Sequence, residues 1–125
     1  GDIGGYISSE YNLSQEGTCW IYKGAFAIER ARVVDNGWVF GRALVKGNAL
    51  IKDNGWVLDR ALVKGNVVVG GDACVGGFAI LDGNVKMLGD SYAHGNAILI
   101  GNLVLNNYDR VWEGKKIWKD GYVLE

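Results

Sequence analysis

The chain has 125 residues, with 13 Lys and Arg against 14 Asp and Glu, 20 Gly, no Pro and two Cys, for a net charge of −1. One domain is expected at this length, and the balanced charge argues against strong non-specific attraction to nucleic acid or anionic membrane. No run reaches the ~18 consecutive apolar residues of a membrane-spanning helix, and no basic-then-apolar leader opens the chain, so a cytoplasmic location is expected.

Residues 1–16, GDIGGYISSEYNLSQE, carry no repeat. They are expected to cap the repeat that follows, with Ile3, Tyr6, Ile7, Tyr11 and Leu13 as the plug, because an open solenoid end exposes unpaired strand edges. Residues 17–106 divide into fifteen hexads without an insertion. Within them, DNGWVFGRALVKGNALIK at 35–52 and DNGWVLDRALVKGNVVVG at 53–70 share DNGWV, RALVK and GN in the same places. Position three of the hexad is small in most units, as at Ala25, Ala43, Ala61 and Ala79, and position five is aliphatic, as at Ile21, Val39, Ile51 and Leu81. Residues two apart share a face of a strand, so both positions point inward, a small one beside a branched one. Gly-Asn or Gly-Asp at the first two positions can turn the chain through positive φ. Six residues per side and a near-identity every eighteen predict an all-β fold, a three-sided parallel β-helix of about five coils. Residues 107–125 break the pattern and read as a hairpin-like cap, or as an arm pairing with another subunit. Their apolar pieces lie at Val111-Trp112, Ile117-Trp118 and Tyr122-Leu124, with turns at 113–116 and 120–121.

Position four then points outward, and it is apolar where a solvated tube would be polar. Residues eighteen apart stack. Side one carries Trp20, Trp38, Trp56, Cys74 and Tyr92, flanked by Tyr22, Phe40 and Leu58; side two carries Phe26, Leu44, Leu62, Ile80 and Ile98; side three is mixed, with Arg32 and Lys86 among Leu50, Val68 and Val104. Apolar stripes of this extent mark interfaces, and by symmetry a dimer or trimer is expected. The Trp row can also be read as a stacking platform for sugars or bases. Beside it, Arg42, Arg60, Lys46 and Lys64 form basic columns that either seat an anion or make a solvated rim, with Asp59 available to Arg60. Asn48, Asn66, Asn84 and Asn102 are expected to bond from rung to rung. Asp35, Asp53, Asp72 and Asp90 fit corner geometry better than a metal site. No cofactor or metal is expected. Cys19 and Cys74 sit on one side three rungs apart, about 14 Å, beyond the ~7 Å reach of a disulfide; a core thiol and a surface thiol are expected.

The hexads GNALIK, GNVVVG, GDACVG and GNAILI resemble the hexapeptide-repeat left-handed β-helix superfamily over about 90 of the residues, and the resemblance implies left-handed coiling. The opening run GDIGGYISSEYNLSQEGTCWIY is similar to phage- and prophage-encoded proteins with GNAxV hexads, in which a further segment precedes it, so this chain is expected to be trimmed. That likeness implies a non-catalytic interaction or assembly protein with a host or viral protein as partner. Many hexapeptide-repeat proteins are acyltransferases that use a catalytic His, a loop leaving the helix and a neighbouring subunit. The one His here, His94, is the sole candidate general base; no loop interrupts the hexads.

Overall fold

From Gly17 onward the chain turns at the first residue of almost every hexad, and the turn is a single backbone setting. In the computed structural model, which describes residues 4–111, 116–118 and 122–124, position one sits at positive φ: 68° at Gly47, 79° at Gly65, 51° at Asp53 and 60° at Asp59. In the hexad that begins with Lys23 the setting moves one residue on, to Gly24. Glycine suits the position twice over. It reaches this region without steric cost, and a Cβ on Gly47 would stand 2.7 Å from the backbone nitrogen of Gly65 in the next coil. The partner Asn of each Gly-Asn pair keeps negative φ, so the glycine alone makes the corner.

Between corners lie two-residue strands centred on positions four and five, such as Trp38–Val39, Leu44–Val45 and Leu50–Ile51. Each pairs in parallel with the strand eighteen residues on, as Trp38 with Trp56 and Leu44 with Leu62. The N–H groups of positions two, four and six donate to the following coil: Asn48 to Gly65 O (2.9 Å), Leu50 to Val67 O (2.8 Å) and Lys52 to Val69 O (2.8 Å). The result is a three-sided parallel β-solenoid of about six turns, with no α-helix among the described residues and hence none that could cross a membrane. At Ile80–Met87 and Ile98–Leu105 the pairing continues unbroken through the corner, over eight residues, with Gly83 lying opposite Gly101.

Positions three and five fill the bore. Val39, Ala43, Val45, Ala49, Ile51 and their equivalents form one continuous buried cluster. The third-position column of side three widens down the axis, from Ala31 and Ala49 through Val67 and Val85 to Leu103, all buried. Ser91 is the polar exception, its hydroxyl buried with no hydrogen-bond partner among the described residues.

The N-terminal cap is a partial coil and obeys the same alternation at a spacing of twenty. Tyr6–Ile7 pairs with Phe26–Ala27, and Leu13 bridges Val33. Ile7 and Leu13 therefore face the bore, but Tyr6 and Tyr11 are 56% and 55% exposed and are not plug residues. They extend the outer columns instead: Tyr6 lies against Phe26, and Tyr11 lies under the Arg32 guanidinium, 4.8 Å away. The residue that closes the top is Asn12, fully buried on a 3-10 turn over Glu10–Asn12. Its Oδ1 accepts from Ser8 N (2.9 Å), Ser8 Oγ (3.0 Å) and Ser9 N (2.9 Å), and its Nδ2 donates to Glu29 O (3.0 Å) and Ala31 O (2.7 Å). Ile3 falls outside the described residues.

The eighteen-residue register does not stop at Asn106. Arg110–Val111 pairs with Tyr92–Ala93, and Lys116–Ile117 with Ile98–Leu99. Asp109 hides this in the sequence, because a carboxylate stands where a small residue is expected; it accepts from Asn106 N at the turn instead. Lys116–Trp118 then pairs antiparallel with Tyr122–Leu124, a hairpin against the last coil. Of the expected turns at 113–116 and 120–121, residues 113–115 and 120–121 lie outside the described residues, as does Trp112, whereas Lys116 opens a strand.

Candidate functional site

The corners use up four of the acidic side chains that the sequence offers. A position-one N–H points away from the rung ladder and needs its own acceptor. Glu29 supplies one to Gly47 N (2.8 Å), Asp35 to Asp53 N (3.1 Å), Asp53 to Gly71 N (2.9 Å) and Asp59 to Gly77 N (2.8 Å). These carboxylates serve the backbone. Asp59 is thus engaged with Gly77, while the Arg60 guanidinium lies over the Phe78 ring at 6.0 Å. Lys64 pairs with Asp82 at 3.6 Å on a solvated rim. Arg42 and Arg60 line a shallow groove of about 490 Å³ together with Asp59 and Phe78. The Asn column holds at Asn66–Asn84 (3.3 Å) and Asn84–Asn102 (2.8 Å).

Side one gathers the distinctive chemistry. Trp38 and Trp56 stack face to face, 5.3 Å between centroids and 5° between planes. Tyr22 meets Trp38 edge-on and Phe40 meets Trp56 edge-on, each at 5.8 Å. The Trp38 indole N–H donates to Thr18 O (2.9 Å), which holds the row to the first coil. Because this stack runs along the axis, Trp38 and Trp56 each cover a face of the other. The row offers ring edges outward, and a ring face only where it is interrupted. Trp56, with the small Cys74 as its next rung, is 40% exposed. On side two, Phe26 is exposed and Leu44, Leu62, Ile80 and Ile98 are half-buried.

A second polar ladder runs beside the indoles. Thr18 Oγ1 donates to Asn36 Oδ1 (2.6 Å), Asn36 Nδ2 to Asn54 Oδ1 (3.2 Å), and Asn54 Nδ2 to Asp72 Oδ1 (3.1 Å). Every donor points the same way, and the chain ends on a carboxylate. The ladder and the aromatic row enclose a groove of about 550 Å³, with Trp38, Trp56, Cys74 and Tyr92 on one wall and Asn36, Asn54 and Asp72 on the other. Sequence reasoning singled out the aromatic wall and missed the amide wall. Sorting position two by side, as was done for position four, puts Thr18, Asn36, Asn54 and Asp72 in one column.

His94 lies in a smaller groove of about 290 Å³ with Leu58, Asp59, Cys74 and Tyr92, its ring 5.2 Å from the Tyr92 ring. Burial pushes the Cys74 thiol above its ordinary value of 9.0, against the opposing pull of the neighbouring Tyr92 hydroxyl. A thiol nucleophile requires the opposite shift. Cys19 is buried and pushed up by loss of solvent, with its Sγ 3.3 Å from Ser14 O. Tyr92 is pushed up chiefly by the Cys74 thiol beside it. In all three the fold favours the protonated form. Their stabilisation is therefore present below the ordinary thiol range and lost as pH rises through the raised folded values. The urea midpoint should fall between pH 8 and pH 10.5, and fall less in a Cys19→Ala, Cys74→Ala double variant. Equal alkaline losses in the two proteins would refute the assignment. Both thiols are free.

Comparison with protein-family models, with curated proteins and with solved structures returns no match.

Proposed function

We propose that this chain is a non-catalytic interaction protein, of phage origin, that self-associates through its outer apolar faces and holds a host or viral protein. The observation that carries the reading is the unbroken run of half-buried Leu44, Leu62, Ile80 and Ile98 on side two, headed by the exposed Phe26, beside the aromatic row of side one. On a solenoid these columns are flat and parallel to the axis, so two copies can meet along their length and bury both stripes. Contiguous exposed apolar surface of this kind is uncommon on monomers. The acyltransferase reading finds His94 beside Asp59 and Cys74, but with a thiol pushed toward its protonated form and, among the described residues, no loop to complete a cleft.

Mass by light scattering tests the reading. A dimer or trimer is expected across micromolar concentrations, and Leu62→Lys at the middle of side two should shift it to the single-chain mass. A wild-type protein that stays at the single-chain mass would overturn self-association.

A further inference from the structure

The aromatic row of side one has a vacant rung. Its position-four residues are Trp20, Trp38, Trp56, then Cys74, then Tyr92 and Arg110, each paired in register with the next. Trp38 covers one face of Trp56. The other face looks onto Cys74, whose side chain is too small to cover it. Trp56 and Tyr92 are two rungs apart, about 9.6 Å at ~4.8 Å per rung. Two carbon contact distances of about 3.5–4.0 Å take up most of that span, so the interruption has the thickness of one planar group.

The surroundings select the charge of the occupant. Asp72 closes the amide ladder on one flank, with Oδ1 taken by Asn54 and Oδ2 bound to nothing among the described residues. Asp59 stands on the other flank, in the groove shared by Cys74 and Tyr92. The far face of Tyr92 is already covered by a guanidinium, that of Arg110 at 5.2 Å. The molecule uses the same stack at Arg32 over Tyr11 and at Arg60 over Phe78. A guanidinium is flat, stacks on indole more favourably than on other rings, and matches a carboxylate with a fork of N–H donors.

We propose that the step at Cys74 is a binding slot for a planar cation, the side chain of an arginine presented by a partner protein, stacked on Trp56 and paired with Asp72. This rests on side one being a contact face, and it gives that face's partner a chemistry.

The test is a titration of the whole chain with the tripeptide Ac-Gly-Arg-Gly-NH2, followed by the indole N–H resonances in 1H–15N spectra, with the Lys and Tyr tripeptides in parallel. A saturable shift of the Trp56 indole is expected with the Arg peptide, at least fivefold weaker with Lys and with Tyr. Cys74→Trp, which fills the rung with the residue used at the two rungs before it, should weaken binding at least fivefold, and so should the surface change Asp72→Asn if the first variant folds poorly. No saturable shift, equal binding of the Tyr peptide, or unchanged binding in both variants would overturn the slot. The titration reads the slot whatever the oligomeric mass, so a monomer that binds the Arg peptide would refute self-association and leave the slot standing.

Discussion

Ile51→Ala should lower the free energy of unfolding by about 3–4 kcal/mol, within the range for truncating a fully buried Ile. Ile51 is among the largest side chains with no exposure, and its strand is held on both sides, by Val33 and by Val69. Its Cγ2 fills the space that a Cβ on Gly37 would need, at 3.1 Å. The small residues around it leave nothing long enough to swing into the hole. In a solenoid each coil touches only its neighbours, so damage in the middle weakens both halves at once. The urea midpoint measures this, with an unchanged slope showing that the folded and unfolded states keep their relative exposure. Leu44→Ala, on the outer face of the same coil, should cost under about 1 kcal/mol in a monomeric sample, since that side chain is partly in water already. Equal losses at the two sites would mean that the bore is not the core.

Asn12→Ala should cost about 3 kcal/mol and act at one end. Three groups that donate to Asn12 and two carbonyls that accept from it lose their partner together, and buried groups left unsatisfied cost about 1–3 kcal/mol each, less where water can enter. Both carbonyls, on Glu29 and Ala31, belong to the first full coil, so the side chain is a bolt between cap and solenoid. Hydrogen exchange should show the amides of residues 4–14 losing protection while those of residues 35–105 keep theirs. Asn12→Asp separates the roles: it retains the acceptor for Ser8 and Ser9 and lacks the donor, so it should fall between wild type and Ala. A uniform loss of protection along the whole chain would refute the bolt.

The repeat was legible because it is written in residue size. Alternating Ala43, Val45, Ala49 and Ile51 can satisfy only a narrow bore, and the recurrence of DNGWV after eighteen residues gives three sides. The ends were less legible for the same reason. The cap keeps the in-and-out alternation, but at a spacing of twenty, so Tyr6 and Tyr11 read as plug residues when their column makes them outward. Asn12 escaped notice because a buried amide is recognisable only from its five partners. Asp109 masked the continuing ladder, since backbone pairing tolerates a side chain that a size rule rejects. On side one the indoles were legible, but their mutual stacking was not. Sequence shows that rings recur, not that the face of Trp38 is turned to that of Trp56. Among the carboxylates, Asp35 and Asp53 serve corners as their place in the hexad implies, but Asp59, which reads as available to Arg60, is held by the Gly77 amide one coil on.

The corner at every sixth residue also governs how such a chain can change length. Adding or removing eighteen residues returns every later side chain to its own wall, and 35–52 and 53–70 are alike enough to be copies made that way. Adding six would carry the indoles of all following coils round onto the neighbouring wall and part the amide line from its aromatic companion. The molecule can therefore grow only in steps of one full circuit, about 4.8 Å of height each, and whatever grips its outer walls meets the same spacing after every step.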